Sequence, residues 1–348
     1  MTTITTKDPH IWFQVTKLNG QKLTLQSSLD YKSYPMAFEV NFSSSSTPAD
    51  NTVTLYNLSK EHQNFFKKDE KCHLYFNWGA SKKLICEGYI SKVGIGQSDG
   101  VNTTMTLTFT EGTDYSNVKA RKLKVDKKFK KNKYKTIKIK VPGKYVRKRE
   151  HYYSINKKGK RVGHYRYHTV YVKPKIKKKR IKTRVTATTT VNLAFRKGKT
   201  HKHIIEGVAK QAGIKISKVE LAKNPIVKKA YTAKGKPLSL LAKLAKECGS
   251  VLTYERGKLV IVNPKAKKTS WVEIDDKDLI NPPTYSEDDS GGSSGSWEIT
   301  MPLIPEITTF SGIKIKSQWL SGQFYVVAGQ HTFDGSSPQT VCTIKNYK

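Results

Sequence analysis

Between Asn117 and Thr190 the chain carries 29 lysines and arginines against two carboxylates, Asp126 and Glu150. A segment with a local net charge of +27 repels itself when compacted, so it cannot supply the interior of a domain and reads as an insertion or arm. It holds most of the formal +37 of the whole chain, and the remaining 274 residues, at +10, are only mildly basic. The charge is therefore a property of one segment and says little about the other domains.

Outside that segment a chain of 348 residues with 36% hydrophobic content has enough apolar side chains for two or three cores. No stretch of about 18 apolar residues occurs, and Met1 to His10 is polar, so neither a membrane anchor nor a secretory signal is expected. Cys72, Cys86, Cys248 and Cys342 are scattered in apolar contexts with no CxxC pair, and read as buried small hydrophobes made in a reducing compartment.

From Ile11 to Thr110 the hydrophobic period is two. Residues 12–16 and 22–25 flank Asn19-Gly20, a dipeptide that tolerates positive φ at both turn positions and so predicts a hairpin. Strands are predicted over 36–42, 52–56, 72–76, 84–93 and 104–110, rich in β-branched and aromatic residues and bounded by Gly, Ser, Asp or Asn. Ser59 caps one short helix running to Phe66 and setting Phe65 and Phe66 against the strands. Six or more short strands in about 100 residues predict a barrel or sandwich.

From Thr200 to Pro264 the period becomes helical. Thr200 caps a helix in which Ile204, Ile205, Val208, Ala209 and Ala212 form one face, and Gly213 ends it in the left-handed region. A second helix begins near Pro237, buries Leu238, Leu241, Leu244 and Ala245, and stops at Gly249. Strands over 251–254 and 259–262 joined through Arg256-Gly257 complete a small α/β unit. The last 80 residues return to strands (271–274, 297–300, 313–316, 323–328 and 340–344) and predict a second barrel, with the polar, Gly-rich stretch from Ser286 to Ser296 as a mobile loop.

The basic segment has a mirror-like layout about Lys158. Pro142 and Pro174 lie 16 residues to either side, Tyr145 falls near the opposite of Tyr171, and Tyr152-Tyr153 near the opposite of His164-Tyr165. A long hairpin turning at residues 156–160 accounts for this, with Tyr165, Tyr167, Thr169 and Tyr171 on one face of the returning strand and Arg166, His168, Val170 and Val172 on the other. The ladder should break or bend at the prolines. An isolated hairpin is marginal in water, so the arm is expected to be weakly ordered or to gain neighbours in an oligomer or on an acidic partner. A flexible basic insertion with no specific ligand is the competing reading. Interleaved Lys and Tyr also suit phosphate binding with base stacking. The candidate partner or anion contacts are Lys144, Arg147, Lys148, Arg149, Lys157, Lys158, Lys160, Arg161, Arg166, Lys173, Lys175, Lys177, Lys178, Lys179 and Arg180.

Catalytic and metal patterns are absent from the sequence. His164 and His168 on one strand face lie about 13 Å apart at the usual rise, too far to share an ion. His201 and His203 have no ligand pattern nearby, and Asp275-Asp276 and Asp288-Asp289 are adjacent pairs in turns, without the separate environments that catalytic carboxylates need. Gly94-Ile95-Gly96 lacks a third glycine and a following helix, and there is no phosphate loop or G-x-S-x-G elbow. No enzyme, no cofactor and no metal are expected.

The order barrel, α/β unit, barrel resembles the central baseplate or tail-tip hub proteins of tailed bacteriophages, the late control protein D-like group. The likeness is carried by residues 51–59 (NTVTLYNLS), 86–91 (CEGYIS), 235–249 (GKPLSLLAKLAKECG) and 305–307 (PEI). The run 322–327 (GQFYVV), with His331 and Asp334 after it, completes it. Each match is loose and none is catalytic; their order makes the case. The resemblance implies a homotrimer whose paired barrels form a ring of six similar units, joining a hexameric tail tube to threefold tip components and lining the channel for DNA ejection. Its implied partners are the tail tube or distal tail protein, the tip spike or fibre proteins and the tape-measure protein, with transient DNA contact, in a virion tail made in the host cytoplasm. The chain departs from the plainest members in its basic insertion.

The expected fold is thus mainly β with a small α/β part. Two β-barrel domains (1–116 and 265–348) flank a two-helix plus hairpin α/β unit (188–264), with a long basic β-hairpin insertion at 117–187. The alternative function is a nucleic-acid-binding protein that works through the Lys/Tyr-rich arm.

Overall fold

The computed structural model describes residue 6 and residues 8–28, 34–268, 270–287 and 295–347. The chain divides into two compact units. One is a body formed by residues 1–124 and 192–348, and the other comprises Val125–Val191. The fold is mainly β, with helices α1 (Lys60–Gln63), α2 (His201–Ala212) and α3 (Pro237–Glu247).

Most strands of the body belong to one 14-stranded sheet. In its first part the strands run in spatial order Met36–Ser43, Asp50–Tyr56, Thr103–Glu111, Lys83–Val93, Lys71–Trp78, Pro9–Thr16 and Lys22–Ser27. Their alternating burial builds a core around Ile11, Phe13, Leu55, Leu74, Phe76, Leu107 and Phe109, with Phe65 and Phe66 packed in after α1. Ser59 does cap α1, its hydroxyl accepting from the His62 amide at 3.2 Å, but the helix stops at Gln63, three residues short of the sequence expectation. In the first hairpin only Gly20 takes a positive φ, +86°. Asn19 instead holds a five-residue loop through its side chain, which accepts from the Gln21 amide at 3.0 Å.

The expectation of two closed barrels is corrected here: no closed barrel forms among the described residues. The reason lies in strand edges. Met36–Ser43 has Asp50–Tyr56 on one edge, and from Phe38 to Ser43 its other edge is taken by Ser321–Phe333 rather than by Lys22–Ser27. The 13-residue strand Ser321–Phe333 in turn pairs along one edge with Gln339–Asn346. It divides its other edge between Gly312–Lys316 and Met36–Ser43. The two β regions are therefore one continuous sheet with interlocked cores. Phe42 packs with Ile274, Ile299, Ile315, Phe324 and Ile344 of the last region, while Leu303 and Phe333 pack into the first. Trp78 adds a tie, donating its indole N–H to the Leu303 carbonyl at 2.7 Å.

One strand of the last region escaped the sequence reading. Asn281–Ser286 pairs with Ser296–Pro302 at the end of the sheet despite Pro282 and Pro283, where an edge strand tolerates missing donors. Most of the predicted mobile loop, with Asp288-Asp289, lies outside the described residues.

The α/β unit packs α2 and α3 over the antiparallel pair Val251–Glu255 and Lys258–Val262, to which Lys218–Val219 adds in parallel. The predicted faces of both helices are buried. Leu123, inside the most basic stretch of the sequence, is only 1% exposed and belongs to this core. Thr200 caps α2, accepting from the His203 amide at 3.3 Å. Thr200→Ala is expected to cost about 1 kcal/mol, read as a shift in the chemical denaturation midpoint at unchanged slope. All four cysteines are buried free thiols, and burial pushes Cys72 up to about 12, so they behave as core side chains.

Candidate functional site

The second unit is a two-stranded basic ribbon in two segments. Lys124–Val141 pairs with Lys175–Asn192, and Lys144–Ile155 pairs antiparallel with Arg161–Val172. Between them residues 142, 143, 173 and 174 are unpaired, because Pro142 and Pro174 cannot donate to a ladder. Gly143 leaves room there for the Tyr171 hydroxyl: a Cβ would lie 2.2 Å from it and push the ring aside. The distal segment of 12 residue pairs extends about 40 Å at the usual rise. Its turn is fixed by Asn156, whose side chain accepts from the amides of Lys158 and Lys160 at 3.0 and 2.9 Å, and by Gly159 at φ +72°.

The register places Tyr145 opposite Tyr171, Arg149 opposite Tyr167 and His151 opposite Tyr165, so the odd-numbered residues form one face. On that face the arginines rest on tyrosine rings. Arg149 lies 3.3 Å from the centre of the Tyr165 ring, Arg147 4.9 Å from Tyr167 and Arg161 5.2 Å from Tyr153. His151 bridges Tyr153 and Tyr165 with ring centres 4.4 and 4.7 Å away, in space left by Gly163. Tyr145 and Tyr171 pack on each other at 5.0 Å. Contacts of this kind contribute about 0.5–1 kcal/mol each at exposed sites.

On the even-numbered face one arginine, Arg166, also lies over a ring, 5.8 Å from the centre of Tyr152, but it is ion-paired. Glu150 accepts from Arg166 at 2.8 Å and lies 3.7 Å from His168, and the Arg166 bond holds the Glu150 carboxyl below its ordinary range. His164 stacks on Tyr152 and hydrogen-bonds the Ser154 hydroxyl at 2.8 Å. The candidate residues are thus separated by geometry. Arg147, Arg149 and Arg161 share the aromatic face, whereas Lys144, Lys148 and Arg166 share the other, with Arg166 already paired. Lys157, Lys158 and Lys160 occupy the turn, Lys173 the break, and Lys175, Lys177, Lys178, Lys179 and Arg180 the second segment, where Arg180 covers Tyr134 at 4.2 Å. The tyrosines and His151 were missing from the candidate set. Alternation had placed Tyr165, Tyr167 and Tyr171 on one face, and the cross-strand arginines could have been read from the mirror layout.

In the body, a cavity of about 210 Å³ is lined by Lys71, Glu87, Tyr115, Lys215, Tyr254 and Lys258, among others. Glu87 is engaged by Lys71 at 3.1 Å and His73 at 3.3 Å. Among the described residues no group of three or more His, Cys, Asp or Glu side chains is placed to hold a metal ion. Among the same residues no helix is long and apolar enough to cross a membrane.

The chain as a whole shares its fold with phage tail proteins. Over 97% of this chain and 98% of the other, it superposes on the 43 kDa tail protein of prophage MuSo2 from Shewanella oneidensis, with TM-score 0.57 and 11% identity. A tail protein from Neisseria meningitidis gives TM-score 0.56 at 10% identity, covering 97% and 96% of the two chains. The E. coli c3393 protein gives 0.51 at 8% identity, covering 90% of this chain and 74% of its own; it is a component of the type VI secretion system with structural similarity to the T4 bacteriophage tail proteins gp27 and gp5. No family model and no curated protein sequence matches the chain.

Proposed function

We propose that this protein is a non-enzymatic structural component of a phage-type tail and, more narrowly, the homotrimeric hub of its baseplate or tip. In this reading it joins the hexameric tail tube to threefold tip components and lines the passage for DNA. The supporting observation is the fold likeness to tail proteins along nearly the full length of both chains. The hub assignment adds the order of the motifs at 51–59, 235–249 and 322–327. The continuous sheet suits such a part: two β regions locked through Met36–Ser43 and Ser321–Phe333 cannot shift independently under load. The four-part division into residues 1–116, 117–187, 188–264 and 265–348 belongs to the same proposal.

The arm provides the test against a pure nucleic-acid-binding role. Leu123 and Leu193, at the root of the arm, are joined by a backbone hydrogen bond of 2.8 Å. Replacing residues 133–182 by a short Gly/Ser turn should therefore leave the body's unfolding midpoint within about 2 °C of the intact chain, a change below about 1 kcal/mol. The hub reading predicts that this variant keeps the same number of copies per assembly by light scattering. Loss of assembly together with the arm would reject it.

A further inference from the structure

We propose that the odd-numbered face of the distal arm is a phosphate-binding surface for duplex DNA, in which tyrosines seat the arginines and do not themselves stack on bases. The inference concerns the second unit alone and does not depend on the tail reading.

Three observations carry it. The first is the difference between the faces. The one carboxylate of the distal segment, Glu150, is spent on Arg166 and His168 of the even face, so Arg147, Arg149 and Arg161 on the odd face have no acidic partner within the ribbon. The second is orientation. A guanidinium lying flat on a phenol ring directs its N–H edge outward, the geometry that grips an oxyanion with two parallel bonds. Arg149, at 3.3 Å from the Tyr165 ring centre, is too close to the ring to stand on edge, and so is held this way.

The third is the state of the rings. Tyr153 and Tyr165 each contact His151 as well as an arginine, and Tyr145 and Tyr171 contact each other. Rings partly covered by an arginine or a neighbouring ring are poorer platforms for unstacked bases, which reduces the advantage of a single strand. What remains is recognition of a regular, doubly charged rod by a narrow basic ribbon, and a two-stranded β-ribbon is of a size that the major groove admits. An acidic protein surface fits less well: the arm's positive charge runs along its whole length, whereas a folded partner offers local patches.

The test is fluorescence anisotropy of the full chain with a labelled 24-base-pair duplex, titrated with salt. The paired variants Arg147→Ala/Arg149→Ala and Lys144→Ala/Lys148→Ala remove equal charge from neighbouring positions on one strand and differ in face. At physiological salt the odd-face pair should weaken binding about 20-fold, as expected for two lost phosphate contacts, and should flatten the logarithmic salt slope by about 2; the even-face pair should stay within about 3-fold. Arg147→Lys/Arg149→Lys keeps the charge and the ribbon but loses the fork and the flat stacking, and should weaken binding about 5-fold. Tyr165→Leu/Tyr167→Leu keeps every charge and should do the same.

Equal losses from both faces would overturn the proposal, reducing the arm to an unspecific polycation. So would tighter binding of the matching single strand, equal binding of a glycerol-phosphate polymer, or failure to bind the duplex while an acidic protein is retained.

Discussion

Gly112→Ala is expected to destabilise the body by at least about 3 kcal/mol, because it combines a left-handed backbone with a clash against backbone. Gly112 follows strand Thr103–Glu111 at φ +67°, and a Cβ on it would lie 2.1 Å from the Gly257 carbonyl oxygen, a backbone atom that cannot swing aside. Gly257 is equally constrained, since its own Cβ would lie 2.2 Å from the Glu87 carbonyl. This three-layer contact of Glu87, Gly112 and Gly257 is where the first β region meets the turn of the α/β hairpin. Around it the Gly257 amide donates to Glu111 at 3.1 Å and the Tyr254 hydroxyl to the Thr113 carbonyl at 2.7 Å. Arg256 donates to the Pro305 and Glu306 carbonyls, each at 3.0 Å. Displacing the turn disturbs all of these. Gly20→Ala separates the causes: it has similar positive φ but nothing within 4 Å, so it should cost only about 1 kcal/mol. Thermal unfolding of the two variants beside the parent chain measures the difference.

The second large effect is a pair of opposed pH dependences that nearly cancel in the intact protein. Burial raises Glu111 from 4.5 to about 7 against the opposing bond from the Gly257 amide, so the folded state binds its proton more tightly than the unfolded chain. Its contribution is fully present below pH 4.5 and is lost as pH rises through 7. His331 is the reverse. It is 2% exposed, with one ring nitrogen bonded to the Thr340 hydroxyl at 2.8 Å and the other 3.0 Å from the Ile307 carbonyl; burial lowers it from 6.5 to about 4. Its contribution is present above pH 6.5 and is lost as pH falls through 4. Each shift corresponds to about 3 kcal/mol, and the two slopes oppose each other between pH 4.5 and 6.5. Glu111→Gln should therefore lose about 2–3 kcal/mol of stability on acidification across that window. His331→Gln, though less stable overall, should gain a similar amount, and the parent should stay nearly flat. Urea unfolding at half-unit pH steps reads all three slopes; parallel curves would show that neither group titrates as described.

Elements set by local chemistry were legible in the sequence. Thr200 and Gly213 bound α2 as the capping rules require, Pro237 starts α3, and residues 256–257 turn the hairpin with positive φ at both positions. The arm's tip and pairing followed from the mirror of prolines and tyrosines, since register in a hairpin is fixed by its turn. What the sequence did not reveal was which strand takes which edge. Met36–Ser43 alternates as well for a closed barrel as for the junction it forms, because alternation specifies the buried face and leaves the edge partner open. The candidate site failed at a similar point. Counting lysines and arginines found the segment, but the pairing of Glu150 with Arg166, and the seating of Arg147 and Arg149 on Tyr167 and Tyr165, depend on cross-strand neighbours.

The central claim, that this chain is a hub assembled from three copies of a tail-protein fold, is tested most directly by its mass in solution at micromolar concentration, by light scattering coupled to size exclusion. The expected result is a single species of three times 39.4 kDa, and still three copies of the shortened chain when residues 133–182 are replaced. A strictly monomeric chain at the highest concentration reached, with no ring visible by electron microscopy, would contradict it.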